Sequence, residues 1–162
     1  MNHSRWRSHL TALLTALIAC VGLLSLSSAP AWAKAGTITE FPTPTGSSDP
    51  IGITTGPDGN LWFTAGTDIG RITTAGSFTG FPVPQALGEP QFITAGPDGN
   101  LWFTYEDSTT NVSAIGRITT SGKITLTSTP TASSLPTDIT AGPDGAMWFT
   151  EGAGKVGRIT TS

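Results

Sequence analysis

Thiol and imidazole, the side chains that most often do chemistry, are confined to the start of this chain. Cys20 is its only cysteine, and His3 and His9 are its only histidines. All three lie in a segment that reads as a leader. Arg5 and Arg7 give a basic start, Leu10 to Leu26 is apolar but for Thr11, Thr15 and Ser25, and Ala31-Trp32-Ala33 supplies the small residues a signal peptidase needs. Residues 1–33 are therefore expected to be a signal peptide cut after Ala33, with the rest of the chain secreted or periplasmic. Leu17-Ile18-Ala19-Cys20 offers a second reading, a lipobox that would lipidate Cys20, but the apolar run continues past the cysteine. Without the leader no disulfide, thiol nucleophile or imidazole base is left.

What remains is carboxylate chemistry. Loss of Arg5 and Arg7 takes Lys+Arg from 8 to 6 against 11 Asp+Glu, a net charge of −5. An acidic chain without clustered Lys/Arg is unsuited to nucleic acid, whose phosphates must be neutralised. Asp58, Asp98 and Asp144 have the chemistry of metal ligands, yet each sits in Pro-Asp-Gly. There Pro presets φ, Asp bonds back to the main chain and Gly accepts positive φ, so the setting reads as a turn.

Those turns belong to a repeat. Gly56-Pro57-Asp58-Gly59-Asn60-Leu61-Trp62-Phe63-Thr64 returns at Gly96–Thr104 and again at Gly142–Thr150, where Ala146 and Met147 replace Asn and Leu. Each copy is followed by an Ile/Val-Gly-Arg-Ile-Thr-Thr block containing Arg71, Arg117 or Arg158, and preceded by an Ile-Thr block. A fourth block, Phe78-Thr79-Gly80-Phe81-Pro82, has an earlier counterpart in Ile38-Thr39-Glu40-Phe41-Pro42 and a degenerate one at Ile124–Thr127. Short β-branched and aromatic runs punctuated by Gly, Pro, Asp and Ser read as strands. Four strands per unit, at a period of 40 residues and then 46, predict an all-β partial propeller. The blades are expected at about 51–84, 91–130 and 137–162, within a domain spanning 34–162. An extra rim strand is expected at 36–42. In each blade the Ile-Thr strand is expected innermost, then Trp-Phe-Thr, then Gly-Arg-Ile, then Phe-Pro at the rim. Trp62, Trp102 and Trp148 are expected to pack between blades, and the three arginines to act as framework donors, because a position repeated in every copy serves the stacked core. The six extra residues of the second period fall at Tyr105–Asn111 and read as a loop insertion.

The combination Ile-Thr-Ala-Gly-Pro-Asp-Gly-Asn-Leu-Trp-Phe-Thr, Ile-Gly-Arg-Ile-Thr-Thr and Glu-Phe-Pro-Thr-Pro-Thr resembles the repeat of the virginiamycin B lyase family across roughly Gly36–Ser162. The resemblance implies a seven-bladed propeller, of which this chain carries about three. It further implies a magnesium-dependent lyase that opens the ester of cyclic type B streptogramins by elimination, an antibiotic-resistance activity with a cyclic peptide as ligand. On the family's pattern the site has a Glu-Pro-His at the start of an inner strand and a second Glu after the Trp-Phe of that blade. Glu89-Pro90-Gln91 and Glu106 match these positions, with Gln91 in place of the histidine. The equivalent residues of the other blades, Ile51 and Thr137, cannot carry a proton. Glu89 and Glu106 have the oxygen chemistry magnesium prefers; alternatively both are solvated loop acids. Glu151 is expected to face solvent or pair with an arginine. Catalysis by this chain is thus left open, against a non-catalytic binding module or an inert piece. Three blades fall short of the roughly four to eight that close a ring, so either the sequence is a fragment of a longer chain, the plainer expectation, or several copies assemble to close the ring.

Overall fold

In a computed structural model the described residues are 36–44, 49–84 and 88–162; the expected leader, the Ala33 site and Cys20 lie outside them. Phe41–Ser162 form one compact unit, and all strands among the described residues belong to it. The first sheet contains β1 (Pro50–Thr55), β2 (Leu61–Ala65), β3 (Asp68–Ile72) and β4 (Phe78–Pro82) in that order. The second contains β5 (Glu89–Ala95), β6 (Leu101–Asp107), β7 (Val112–Ile118) and β8 (Ile124–Ser128). The third has three strands, β9 (Pro136–Ala141), β10 (Met147–Glu151) and β11 (Lys155–Ile159). Every pairing is antiparallel. The described residues are all-β, three consecutive blades of a partial propeller.

Two expectations are corrected. Residues 36–43 form no strand, so the rim strand at 36–42 is absent. A strand exists through ladder bonds to a neighbour, and no described strand pairs with this segment. The insertion at Tyr105–Asn111 is part strand rather than all loop, since Tyr105–Asp107 extend β6. β6 and β7 have 7 residues each where β2 and β3 have 5, and only residues 108–111 form the turn. Alternation carries Tyr105 into the core, and the buried Asp107 closes the turn by accepting hydrogen bonds from the amides of Thr109 (2.9 Å) and Thr110 (3.1 Å) and from the Thr110 hydroxyl.

One framework recurs in each sheet. The Asp58 carboxylate accepts from Asn60 N at 3.2 Å and from Trp62 Nε1 at 2.9 Å, and Arg71 lies 3.6 Å from Asp58 and over the Trp62 ring. The same Asp–Trp–Arg set joins Asp98, Trp102 and Arg117, and Asp144, Trp148 and Arg158. Burial pushes the Asp58 and Asp98 carboxyls up, but hydrogen bonds from Trp and Asn outweigh it and leave both below the usual range. The Trp148 hydrogen bond and the Arg158 guanidinium hold Asp144 at about 2.

The tryptophans then decide how sheets stack. Side chains alternate along a strand, so Trp62 and Thr64 share one face of β2, and Leu61, Phe63 and Ala65 the other. Trp62, wholly buried, clusters with Ile93, Leu101, Phe103 and Ile118 of the second sheet. Trp102, 4% exposed, clusters with Ile139, Met147 and Phe149 of the third. Among the described residues no further sheet lies against Trp148, which is 36% exposed.

A threonine hydroxyl stitches each junction. Thr64 Oγ1 accepts from the Gly52 amide of its own sheet at 2.9 Å and donates to the Gln91 carbonyl of the next at 2.6 Å. Thr104 does the same between the Phe92 amide (3.1 Å) and the Thr137 carbonyl (3.0 Å). Gly52, Phe92 and Asp138 lie where the inner-strand register shifts, so their amides need this acceptor. The isosteric change Thr104→Val leaves a donor and an acceptor unmet in this junction. It is expected to cost about 1–3 kcal/mol, read as a lower urea midpoint at unchanged slope.

Candidate functional site

β5 begins at Glu89, directly opposite Glu106 in β6, and Glu106 is directly opposite Ser113 in β7. Residues paired across strands point to the same face, so two carboxylates and a hydroxyl form one row across the sheet. It is the face that carries Trp102 and Thr104, turned to the third sheet. Glu89 is exposed and Glu106 half-buried. Glu106 Oε2 accepts from Ser113 Oγ at 2.6 Å, and the buried Ser113 also accepts from the Leu135 amide at 3.4 Å. Glu106 is thus a strand residue held by a buried hydroxyl, not a loop acid. Like charges directly opposite one another destabilise a sheet unless a cation or a proton sits between them.

Gln91 is half-buried two residues along β5, with its carbonyl taken by Thr64. Its counterparts do no better as proton carriers: Ile51 is exposed, and Thr137 Oγ1 shares a 2.7 Å hydrogen bond with Thr150. Asp58, Asp98 and Asp144 are absorbed by the Asp–Trp–Arg framework, at the far ends of β2, β6 and β10 from Glu106.

Three further residues shape the site. Tyr105, wholly buried, meets the Gly88 backbone immediately before Glu89, and a Cβ at Gly88 would fall 2.2 Å from its hydroxyl. Burial pushes the Tyr105 phenol up, Asp107 adds to this, and the Gly88 hydrogen bond opposes it, so the group stays neutral at physiological pH. Ser113 is the second; its place opposite Glu106 follows from the lengthened hairpin. The third is Glu151, whose expected exposure is overturned. It shares the face of Met147 and Phe149, turned to the second sheet, and is buried with Oε1 unpartnered. A buried, unpartnered carboxylate oxygen calls for water, a cation or a proton. Glu89, Glu106 and Glu151 therefore border the same end of the gap between the second and third sheets. They do not converge into a cluster of three metal-ligating side chains among the described residues.

Residues 30–162 match the virginiamycin B lyase family. The chain is 41% identical to the selenomethionine-substituted virginiamycin B lyase from Staphylococcus aureus, with a TM-score of 0.66, over 78% of this chain and 46% of that one. It is 36% identical to a streptogramin B lyase, with a TM-score of 0.63, over 75% of this chain and 44% of that one. It therefore spans less than half the length of either lyase. A protein of unknown function from Bacteroides caccae, 18% identical with a TM-score of 0.54, shares the fold alone. No curated protein sequence matches the chain.

Proposed function

The chain belongs to the virginiamycin B lyase family, and on that premise we propose that it is an exported, streptogramin-lyase-like protein. It binds magnesium and a cyclic type B streptogramin at the Glu89–Glu106 end of the gap between the second and third sheets. The observation that carries this is the register pairing of two carboxylates on one face. The donor set is oxygen only, which suits a hard cation that keeps several waters and needs only one or two carboxylates. Glu89 and Glu106 would hold the ion, with Ser113 fixing the orientation of Glu106. When bound, magnesium supplies electrostatic stabilisation for negative charge developing on an ester oxygen.

The chain's own residues supply binding and orientation rather than base chemistry. Opening the lactone by elimination takes a proton from carbon as the ester C–O bond breaks, the carboxylate leaves and a C=C bond forms. Gln91 cannot take that proton, because an amide is not a base near neutral pH. Its presence favours a second reading, a module that holds the peptide without opening it, the base being supplied by a further blade where one exists.

Titration calorimetry of the purified chain with magnesium, and then with a type B streptogramin, tests the reading. Saturable binding is expected. Glu89→Gln or Glu106→Gln should weaken magnesium at least about tenfold, in line with the loss of a ligand or its support. Chromatography of the incubated peptide distinguishes the two readings. An opened product of unchanged mass marks elimination, an added water marks hydrolysis, and unaltered peptide marks binding alone. Failure to bind either magnesium or peptide would overturn the proposal.

A further inference from the structure

The geometry points to Leu135 as a specificity residue of the proposed site, an apolar side chain that meets the cyclic peptide beside Glu106 and takes no part in holding the ion. The inference rests on the magnesium-and-peptide reading above and adds to it the residue that recognises an apolar part of the ligand.

Backbone strain marks the place. Among the described residues three other than glycine have positive φ: Asn111 (58°), Ser133 (51°) and Leu135 (52°). All three gather at one spot. Asn111 stands in the turn between β6 and β7, and its Oδ1 accepts from Ser133 Oγ at 3.3 Å. Leu135 ends the connection between β8 and β9, and its amide donates to Ser113 Oγ at 3.4 Å. That hydroxyl in turn donates to Glu106 Oε2 at 2.6 Å. Asparagine visits positive φ readily because its short polar side chain bonds locally, whereas leucine does not. Pro136 sharpens the conflict, since a proline drives the residue before it toward extended backbone.

The surroundings over-determine this conformation. The Leu135 carbonyl accepts from the Gly152 amide at 2.8 Å, and the Ser134 carbonyl from the Ala153 amide at 3.2 Å. These bonds fasten the connection to the turn between β10 and β11. Ser134 is wholly buried and donates to Thr129 Oγ1 at 3.0 Å, while the Thr129 amide donates to the Ser113 carbonyl at 2.9 Å. The second sheet therefore holds one side and the third sheet the other. Strain maintained in this way clusters at ligand sites.

Packing does not account for the leucine. Its side chain is 51% exposed although it sits between two sheets that are both present. Glycine or asparagine would hold the same φ with less strain and leave no apolar surface in water. Its base rests on Gly152, where a Cβ would fall 3.1 Å from the Leu135 Cβ. Ligand sites combine a few placed polar groups with apolar contact. At this end of the gap Glu106 and Glu89 supply the first, and Leu135 supplies the second. A peptide lying over Leu135 takes that surface out of water while its ester faces the carboxylates.

Titration calorimetry of the purified chain with a type B streptogramin, at saturating magnesium, tests the inference. Leu135→Asn and Leu135→Gly both accept positive φ and remove the apolar bulk. Each is expected to weaken the peptide about tenfold and to leave magnesium affinity, titrated alone, unchanged. Leu135→Asn should also unfold at a urea midpoint no lower than wild type, because the strain is relieved. Variants that bind peptide as tightly as wild type, or that lose magnesium in step with peptide, would overturn the inference and leave the carboxylate site standing. A wild-type chain that binds no peptide would overturn the peptide site itself, and this contact with it.

Discussion

Replacing Trp102 by alanine is expected to lower the unfolding free energy by about 3–5 kcal/mol, the usual cost of deleting a large buried aromatic. The ring is 4% exposed, its indole N–H donates to Asp98 Oδ1 at 3.0 Å, and its face is covered by Ile139, Met147 and Phe149. Truncation opens a cavity between two sheets and leaves the Asp98 carboxylate without a donor it uses. The third sheet has only three strands, and the second sheet is the neighbour against which it buries its apolar face. The loss should therefore be concentrated there. Hydrogen exchange should show β9 and β10 opening at lower free energy than β2 and β6. An unfolding free energy within about 0.5 kcal/mol of wild type, the usual range for a surface change, would refute the packing described above.

Gly116→Ala is expected to have the second largest effect. Gly116 lies opposite Phe103 in the β6–β7 ladder, and a Cβ there would fall 2.1–2.5 Å from ring atoms of Phe103. The ring is wholly buried, packed among Trp62, Ile69, Leu101 and Ile118, so it has nowhere to swing. Overpacking of this kind costs about 1–3 kcal/mol and sometimes more. The control is Gly99→Ala, where the space is open but φ is +74°. That substitution strains the backbone by about 1–2 kcal/mol without moving Phe103. Near-ultraviolet dichroism of the aromatic core should therefore change for Gly116→Ala and stay unchanged for Gly99→Ala. A Gly116→Ala protein with wild-type stability would show that the ring does not lie on this glycine.

The stacked framework was legible because it is written three times. Trp, Asp and Arg recur at fixed offsets, and a residue that each sheet needs in the same place is repeated with it. Thr64, Thr104 and Thr150 carry the same signal, following Trp-Phe in each copy, although only the structure shows that their hydroxyls cross to the next sheet. The segment 36–42 shows the limit of such reading. Its letters match β4, but pairing depends on a neighbouring strand, which local sequence does not encode. Only Phe41 keeps the likeness, through its contact with Gly76. At Tyr105–Asn111 the polar composition masks an alternation that puts Tyr105 and Asp107 on one face and Glu106 on the other, which extends β6 to Asp107 before the turn at 108–111. Glu106 is legible through the family pattern, whereas its partner Ser113 follows only from the strand register. The burial of Glu151 is not legible in the sequence, because carboxylates are seldom buried without a partner. Here its row on β10 is fixed by Met147 and Phe149, which are held in the core.

The central claim is that each sheet's tryptophan face is completed by the next sheet's strands. A double-mutant cycle between Trp102 and Met147, the first in β6 and the second in β10, tests it most directly. With Trp102→Ala, Met147→Ala and the double variant measured by urea unfolding, a coupling of about 0.5–3 kcal/mol is expected for residues in contact across the junction. Strict additivity, within about 0.3 kcal/mol, would mean that the second and third sheets do not share this contact and would contradict the account.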